Sequence, residues 1–202
     1  IDDAVEDSID QSALEMRSAL ERLAAQYGID TEWRMVDAEA MTVLPQHARY
    51  ADLCIFGAET HAVSTSAGYR FAEAMLFTTG RPVLLVPEAG NFTVLGAHVA
   101  VAWNSSRAGA RALNDSLPLL ERSEKTTVIT INPGDHMGLH GALPLPKLLE
   151  HLKRHGSVAQ VVELSDVPTA MIADALQDQA LAAGADMLVA GAHGHTWLRK
   201  VL

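Results

Sequence analysis

Ala185-Asp186-Met187-Leu188-Val189-Ala190-Gly191-Ala192-His193-Gly194-His195 is the stretch on which the fold turns. A short apolar run, opened by Asp and closed by Gly-x-x-Gly, predicts a buried strand that turns into a helix. The same pattern stands 134 residues earlier, as Ala51-Asp52-Leu53-Cys54-Ile55-Phe56-Gly57-Ala58-Glu59-Thr60-His61. Five of the eleven positions are identical, and the strand core is apolar in both. Upstream, Leu20-Glu21-Arg22-Leu23 followed by Gly28 is matched by Leu149-Glu150-His151-Leu152 followed by Gly156. Repetition of this kind predicts two copies of one plan of strands and helices.

Working back from residue 185, the second half reads as alternating elements. A strand is expected over 98–103, then a helix from Ser105 or Ser106 to about residue 120, with Pro118 ending or bending it. A strand over 126–131 follows, then an Asn132-Pro133-Gly134-Asp135 loop. A helix over 145–155 is closed by Gly156, and a third strand runs over 158–164. Asp166 and Pro168 open a helix over 169–183, which Gly184 stops before the strand at 186–191. A new helix is expected near His195. Strands that are nearly continuous apolar runs, separated by helices, predict a parallel sheet covered on both faces.

The first half keeps this order but enters it late. Ser12-Ala13-Leu14-Glu15 reads as a capping box for a helix ended by Gly28. A strand over 31–36, a helix over 38–50, a strand over 53–56, a helix over 67–79 and a strand over 82–86 follow. Nothing before the first helix matches 98–131, and nothing after 191 matches 82–86, so the chain reads as clipped at both ends of a tandem protein. The expected division is a first domain over 1–88, a linker over 89–96 and a second domain over 97–202.

Composition narrows the function. Of 202 residues, 49% are hydrophobic, 20% charged and 5% aromatic, which is globular rather than disordered. The formal net charge of -10 repels phosphate backbones and argues against a nucleic-acid partner. No apolar run reaches the ~18–20 residues of a membrane span. The acidic start, Ile1-Asp2-Asp3-Ala4-Val5-Glu6-Asp7, carries no signal-peptide pattern and no Met. A single cysteine, Cys54, excludes an intrachain disulfide, and the expected compartment is the cytoplasm.

Taken together, these residues resemble the universal stress protein family in tandem form. Gly191-Ala192-His193-Gly194 matches the start of the family's Gly-x2-Gly-x9-Gly-Ser/Thr nucleotide loop. The strand over 98–103 with Asn104-Ser105-Ser106 matches the family's first strand and turn, and Arg81-Pro82-Val83-Leu84-Leu85-Val86 its last strand. The Ala-Asp pairs before both repeat strands are typical. The resemblance implies two Rossmann-like α/β domains, of the adenine nucleotide alpha hydrolase-like type, each an open parallel five-stranded sheet. The first would be clipped at its N-terminus, and the second would lack its last strand. It also implies a homodimer or an intramolecular pseudo-dimer.

Gly-x-x-Gly between strand and helix turns backbone N–H groups towards one point and lets a phosphate approach without meeting a Cβ. The family's pattern implies ATP, or a related adenine nucleotide with its Mg²⁺, in the second domain only. Ala102 and Asn104 would face the nucleoside and Ile131 the base, while Ala190, Gly191, His193 and Gly194 would hold ribose and phosphates. Two departures stand out. Asn104 replaces the family's usual Asp, and the third glycine would fall near position 204, beyond Leu202. In the first half Thr60 replaces the second glycine, Glu59 brings a carboxylate to the phosphate position, and Tyr69-Arg70-Phe71 stands where Gly-Ser is expected. That copy is expected not to bind nucleotide.

No catalytic residue is assigned. Asn104-Ser105-Ser106-Arg107-Ala108 lacks the Ser-Gly-Gly-x-Asp-Ser turn of the related ATP-pyrophosphatases, and Cys54 sits mid-strand. His151 and His155 are spaced to share a Zn²⁺ but belong to a solvent-facing helix side; His136 and His140 flank a Gly-rich loop with no Cys or carboxylate cluster at ligand spacing, His193 and His195 lie in the glycine loop in a structural or nucleotide-facing role, and no metal site is assigned. The expectation is a stress-response regulator or adaptor that binds nucleotide and hydrolyses it slowly at most. A nucleotide-free adaptor and an enzyme of nucleotidyl chemistry are the alternatives.

Overall fold

The computed structural model describes residues 2–35, 39–58, 74–87, 90, 92–133 and 145–192. Its contacts separate two units, Ile1–Glu39 and Ala40–Leu202.

The first unit is built on α1 (Asp2–Tyr27). Gly28 adopts φ +63°, and Ile29 N–H donates to the Ala24 carbonyl at 3.0 Å, so the helix closes with a Schellman motif. α1 begins ten residues before Ser12, which is therefore interior and not a cap. Residues 2–11 contain neither Gly nor Pro, so propagation meets no break there. The strand expected over 31–36 is also corrected, because residues 31–35 form no strand. An isolated extended segment has no ladder partner for its backbone groups. Arg34 instead pairs locally with Glu32 at 2.6 and 2.9 Å.

The second unit opens with α2 (Ala40–Ala48), β1 (Cys54–Ala58), a helical turn α3 (74–78) and β2 (Val83–Pro87). There follow β3 (His98–Ala102), α4 (Arg107–Leu120), β4 (Lys125–Ile131) and α5 (Leu145–Arg154). β5 (Ala159–Leu164), a 3₁₀ turn (Thr169–Met171), α6 (Ile172–Ala182) and β6 (Met187–Val189) complete it. All strand pairs are parallel. β1 and β2 form one sheet, with Cys54 opposite Val83; the other four strands are ordered β5-β4-β3-β6. Val99 pairs with both Thr126 and Met187, so β3 is central.

The period-two alternation of β3 and β4 sorts their side chains onto two helical layers. Val99, Val101 and Val128 meet Leu113 and Leu120 of α4 and Leu148 and Leu152 of α5. Ala100, Ile129 and Ile131 meet Leu176 and Ala180 of α6. Burial on both faces is why these strands read as unbroken apolar runs. Leu84 of β2 packs against the α4–α5 cluster, and Arg111 of α4 donates to the Gly80 carbonyl. Pro118 neither ends nor displaces α4, which runs on to Leu120 with Glu121 N–H bonded to Leu117 at 2.9 Å. So near the C-terminus the ring removes a single helical donor and little else.

The starts of β3 and β6 are tied by one carboxylate. Asp186 accepts from the N–H groups of Gly96, Ala97 and His98 at 2.9, 3.0 and 3.3 Å. Its own N–H donates to the His98 carbonyl at 3.0 Å.

Candidate functional site

The chain leaves β3 outward to β4 and β5, then returns to β6 on β3's other side. That reversal makes the carboxyl ends of β3 and β6 a topological switch point, the place where open α/β sheets take ligands. Four of the sequence-selected positions stand at these strand ends: Ala102 at the end of β3 and Asn104 after it, Ala190 and Gly191 after β6, all half-buried. Ile131, 7% exposed, ends β4 and shares the α6-side cluster with Ala102. His193 and Gly194 lie outside the described residues.

The β3 end is a tight turn into α4. Ser105 takes φ +58°, and Asn104 Oδ1 accepts from Ser106 N–H at 3.1 Å. Ser106 caps α4, its Oγ accepting from Gly109 N–H at 3.0 Å. Asn104 keeps its Nδ2 donor unengaged among the described residues. The Ser105 hydroxyl is buried and makes no hydrogen bond among them.

Gly191 meets this turn directly. A Cβ there would sit 2.4 Å from Gly109 N, 2.5 Å from Ala108 C and 2.8 Å from Ala108 O. Its missing side chain is thus required by contact of the β6 end with the first turn of α4, without a positive φ. Gly109 is less tightly confined, since a Cβ there would lie 3.1 Å from Asn104 Oδ1 and 3.3 Å from Ser106 Oγ, both side-chain atoms.

A second clamp went unread in the sequence. Asn132, at φ +48°, donates from Nδ2 to the Val167 carbonyl at 2.7 Å and accepts Val167 N–H on Oδ1 at 3.0 Å. It holds the β5–α6 loop beside the end of β4, next to Ile131. The Asn-Pro-Gly turn was the available signal, and its distant partner, Val167, left no mark in local spacing.

Elsewhere, burial pushes the Cys54 thiol above its ordinary pKa while the nearby Arg81 charge opposes the shift. The His151 and His155 rings lie 4.7 Å apart. Among the described residues no group of three or more His, Cys, Asp or Glu forms a metal-binding cluster, and no helix is long and apolar enough to cross a membrane.

These features define an open, parallel, doubly wound α/β fold with a topological switch point at β3 and β6. No family model matches the chain, and no curated protein matches it in sequence. Among solved structures it is similar to a universal stress protein from Archaeoglobus fulgidus DSM 4304, at TM-score 0.71 and 17% identity. That match covers 95% of this chain and 69% of the other. A universal stress protein family member from Burkholderia pseudomallei (19% identity) and a Mycobacterium tuberculosis H37Rv protein (20%) each align over 48% of this chain, at TM-score 0.36. They span 82% and 71% of their own chains, respectively. The chain has the fold of the universal stress proteins, as the sequence resemblance implied.

Proposed function

We propose that this chain is a tandem universal stress protein whose second domain, 97–202, binds ATP or a related adenine nucleotide and signals stress through a regulatory or adaptor surface. A degenerate first domain over 1–88 and a linker over 89–96 complete it, in the cytoplasm, as a homodimer or an intramolecular pseudo-dimer. The observation that carries the proposal is the reversal of strand order at β3 and β6, whose carboxyl ends form the switch point. Ile131 and Ala102 offer an apolar wall for the base. Asn104 offers an amide donor for a ribose hydroxyl, and Ala190, Gly191, His193 and Gly194 follow β6 where ribose and phosphates would lie. When bound, the nucleotide with its Mg²⁺ would supply the charge that biases an interaction surface. No residue of the switch point is assigned to activating water, so binding rather than turnover is the activity.

Titration calorimetry with Mg-ATP on the full chain tests this. Saturable binding that Gly194→Asp abolishes supports the site; binding unchanged by Gly194→Asp, or no binding, overturns it. A second reading has its own support. The packing of Gly191 on α4 and the Asn104–Ser106 hydrogen bond account for both residues without any nucleotide. On that reading the fold is a nucleotide-free adaptor, and calorimetry with ATP stays flat.

A further inference from the structure

We infer that the groove between α4 and α5 is a binding site for a short amphiphilic carboxylate, separate from the switch point. It is an open groove of about 230 Å³, room for about eight water-sized groups at roughly 30 Å³ each. Its floor is apolar: the Trp103 ring, Ala110, Leu113 and Leu148. Its polar edge is Asn114 with Lys147 and His151, which stand four apart on α5 and so share a side of that helix.

Charge selects the ligand. The chain carries a net -10, yet no Asp or Glu lines this groove among the described residues. The neighbouring acids are turned to other partners: Glu150 pairs with Arg154 at 2.5 Å, and Asp115 with Arg111 at 3.5 Å. Lys147 has no ion-pair partner among the described residues, and its side chain is exposed. A cation and an imidazole beside an apolar floor fit one negative head on a short hydrocarbon or aryl body. The site does not rest on the nucleotide reading. Trp103, Leu113 and Leu148 belong to the α4–α5 layer, whereas Ala102 and Ile131 face α6.

The probe is sodium hexanoate, titrated into the isotopically labelled full chain and followed by NMR. Saturable shifts at the Leu113 and Leu148 methyl groups and the Trp103 indole are expected. Acetate and hexan-1-ol should bind about tenfold more weakly, since each lacks one half of the recognition. Lys147→Met, at an exposed position, should weaken hexanoate by about tenfold with an unchanged unfolding midpoint. Mg-ATP should leave the hexanoate shifts in place. Absence of saturable shifts at these residues overturns the inference. So does equal binding of hexan-1-ol, indifference to Lys147→Met, or displacement by Mg-ATP.

Discussion

Gly57 and Gly191 close the same motif in two copies, yet they stand in different surroundings. A Cβ on Gly191 would strike the backbone of α4 at 2.4 Å; one on Gly57 meets nothing within 4 Å among the described residues. The preceding acids differ in the same way. Asp186 collects three backbone N–H groups from 96–98, whereas Asp52 is exposed and makes no hydrogen bond among the described residues. β6 joins a four-stranded sheet beside β3; among the described residues β1 has only β2 as partner. The motif therefore encodes a strand and its stop. A neighbouring strand and helix are what turn its glycine into a packing requirement and its carboxylate into a clamp.

The sharpest way to break this contrast is to substitute the glycines. Gly191→Val should destabilise the second unit by about 3 kcal/mol, because the contacted atoms are backbone and cannot swing aside. Gly57→Val should stay within about 0.5 kcal/mol in urea unfolding. Equal losses at the two positions would dissolve the distinction.

Next come the acids. Asp186→Ala should cost about 2 kcal/mol, since three donors lose a charged acceptor. Hydrogen exchange at Gly96–His98 should accelerate, while Asp52→Ala leaves the unfolding midpoint in place. Removing the cap that seats α4 under Gly191, by Ser106→Ala, should cost about 1 kcal/mol by the same measurement.

The smallest effect concerns Cys54. Its folded thiol titrates above its ordinary value, so the neutral form favours the fold. That contribution is fully present below the unfolded thiol's pKa and fades as pH rises through the folded one. Stability of the native chain should thus fall slightly more than that of Cys54→Ala in alkaline solution. Alkylation of the folded thiol should also be slower than in urea; equal rates would show it is not buried.

The second half was legible because its strands are covered on both faces. Double burial forces continuous apolar runs, and Gly156 at φ +78° and Gly184 at φ +75° mark the helix ends they predicted. The Ser106 cap is one of two candidates in the sequence, and the placing of Ala102 and Ile131 in one cluster follows from strand alternation. The first half was less legible. Ser12 looks like a cap because the capping box is a local pattern, but a helix with no breaker upstream runs through it. Residues 31–35 carry strand-like composition without a ladder to join. The Asn132–Val167 clamp spans 35 positions, too far for any spacing rule to reveal.

By itself, the sequence determined where strands and helices alternate and that a glycine, Gly191, follows the last strand. Periodicity and glycine chemistry are local, and local rules suffice for them. Only the tertiary structure decided why that glycine is needed, which carboxylate ties two strands together, and that Lys147 and His151 edge an apolar groove. Each of those facts depends on the distance between residues far apart in the chain, and such distances exist only once β6 has returned beside β3 and α4 has packed on α5.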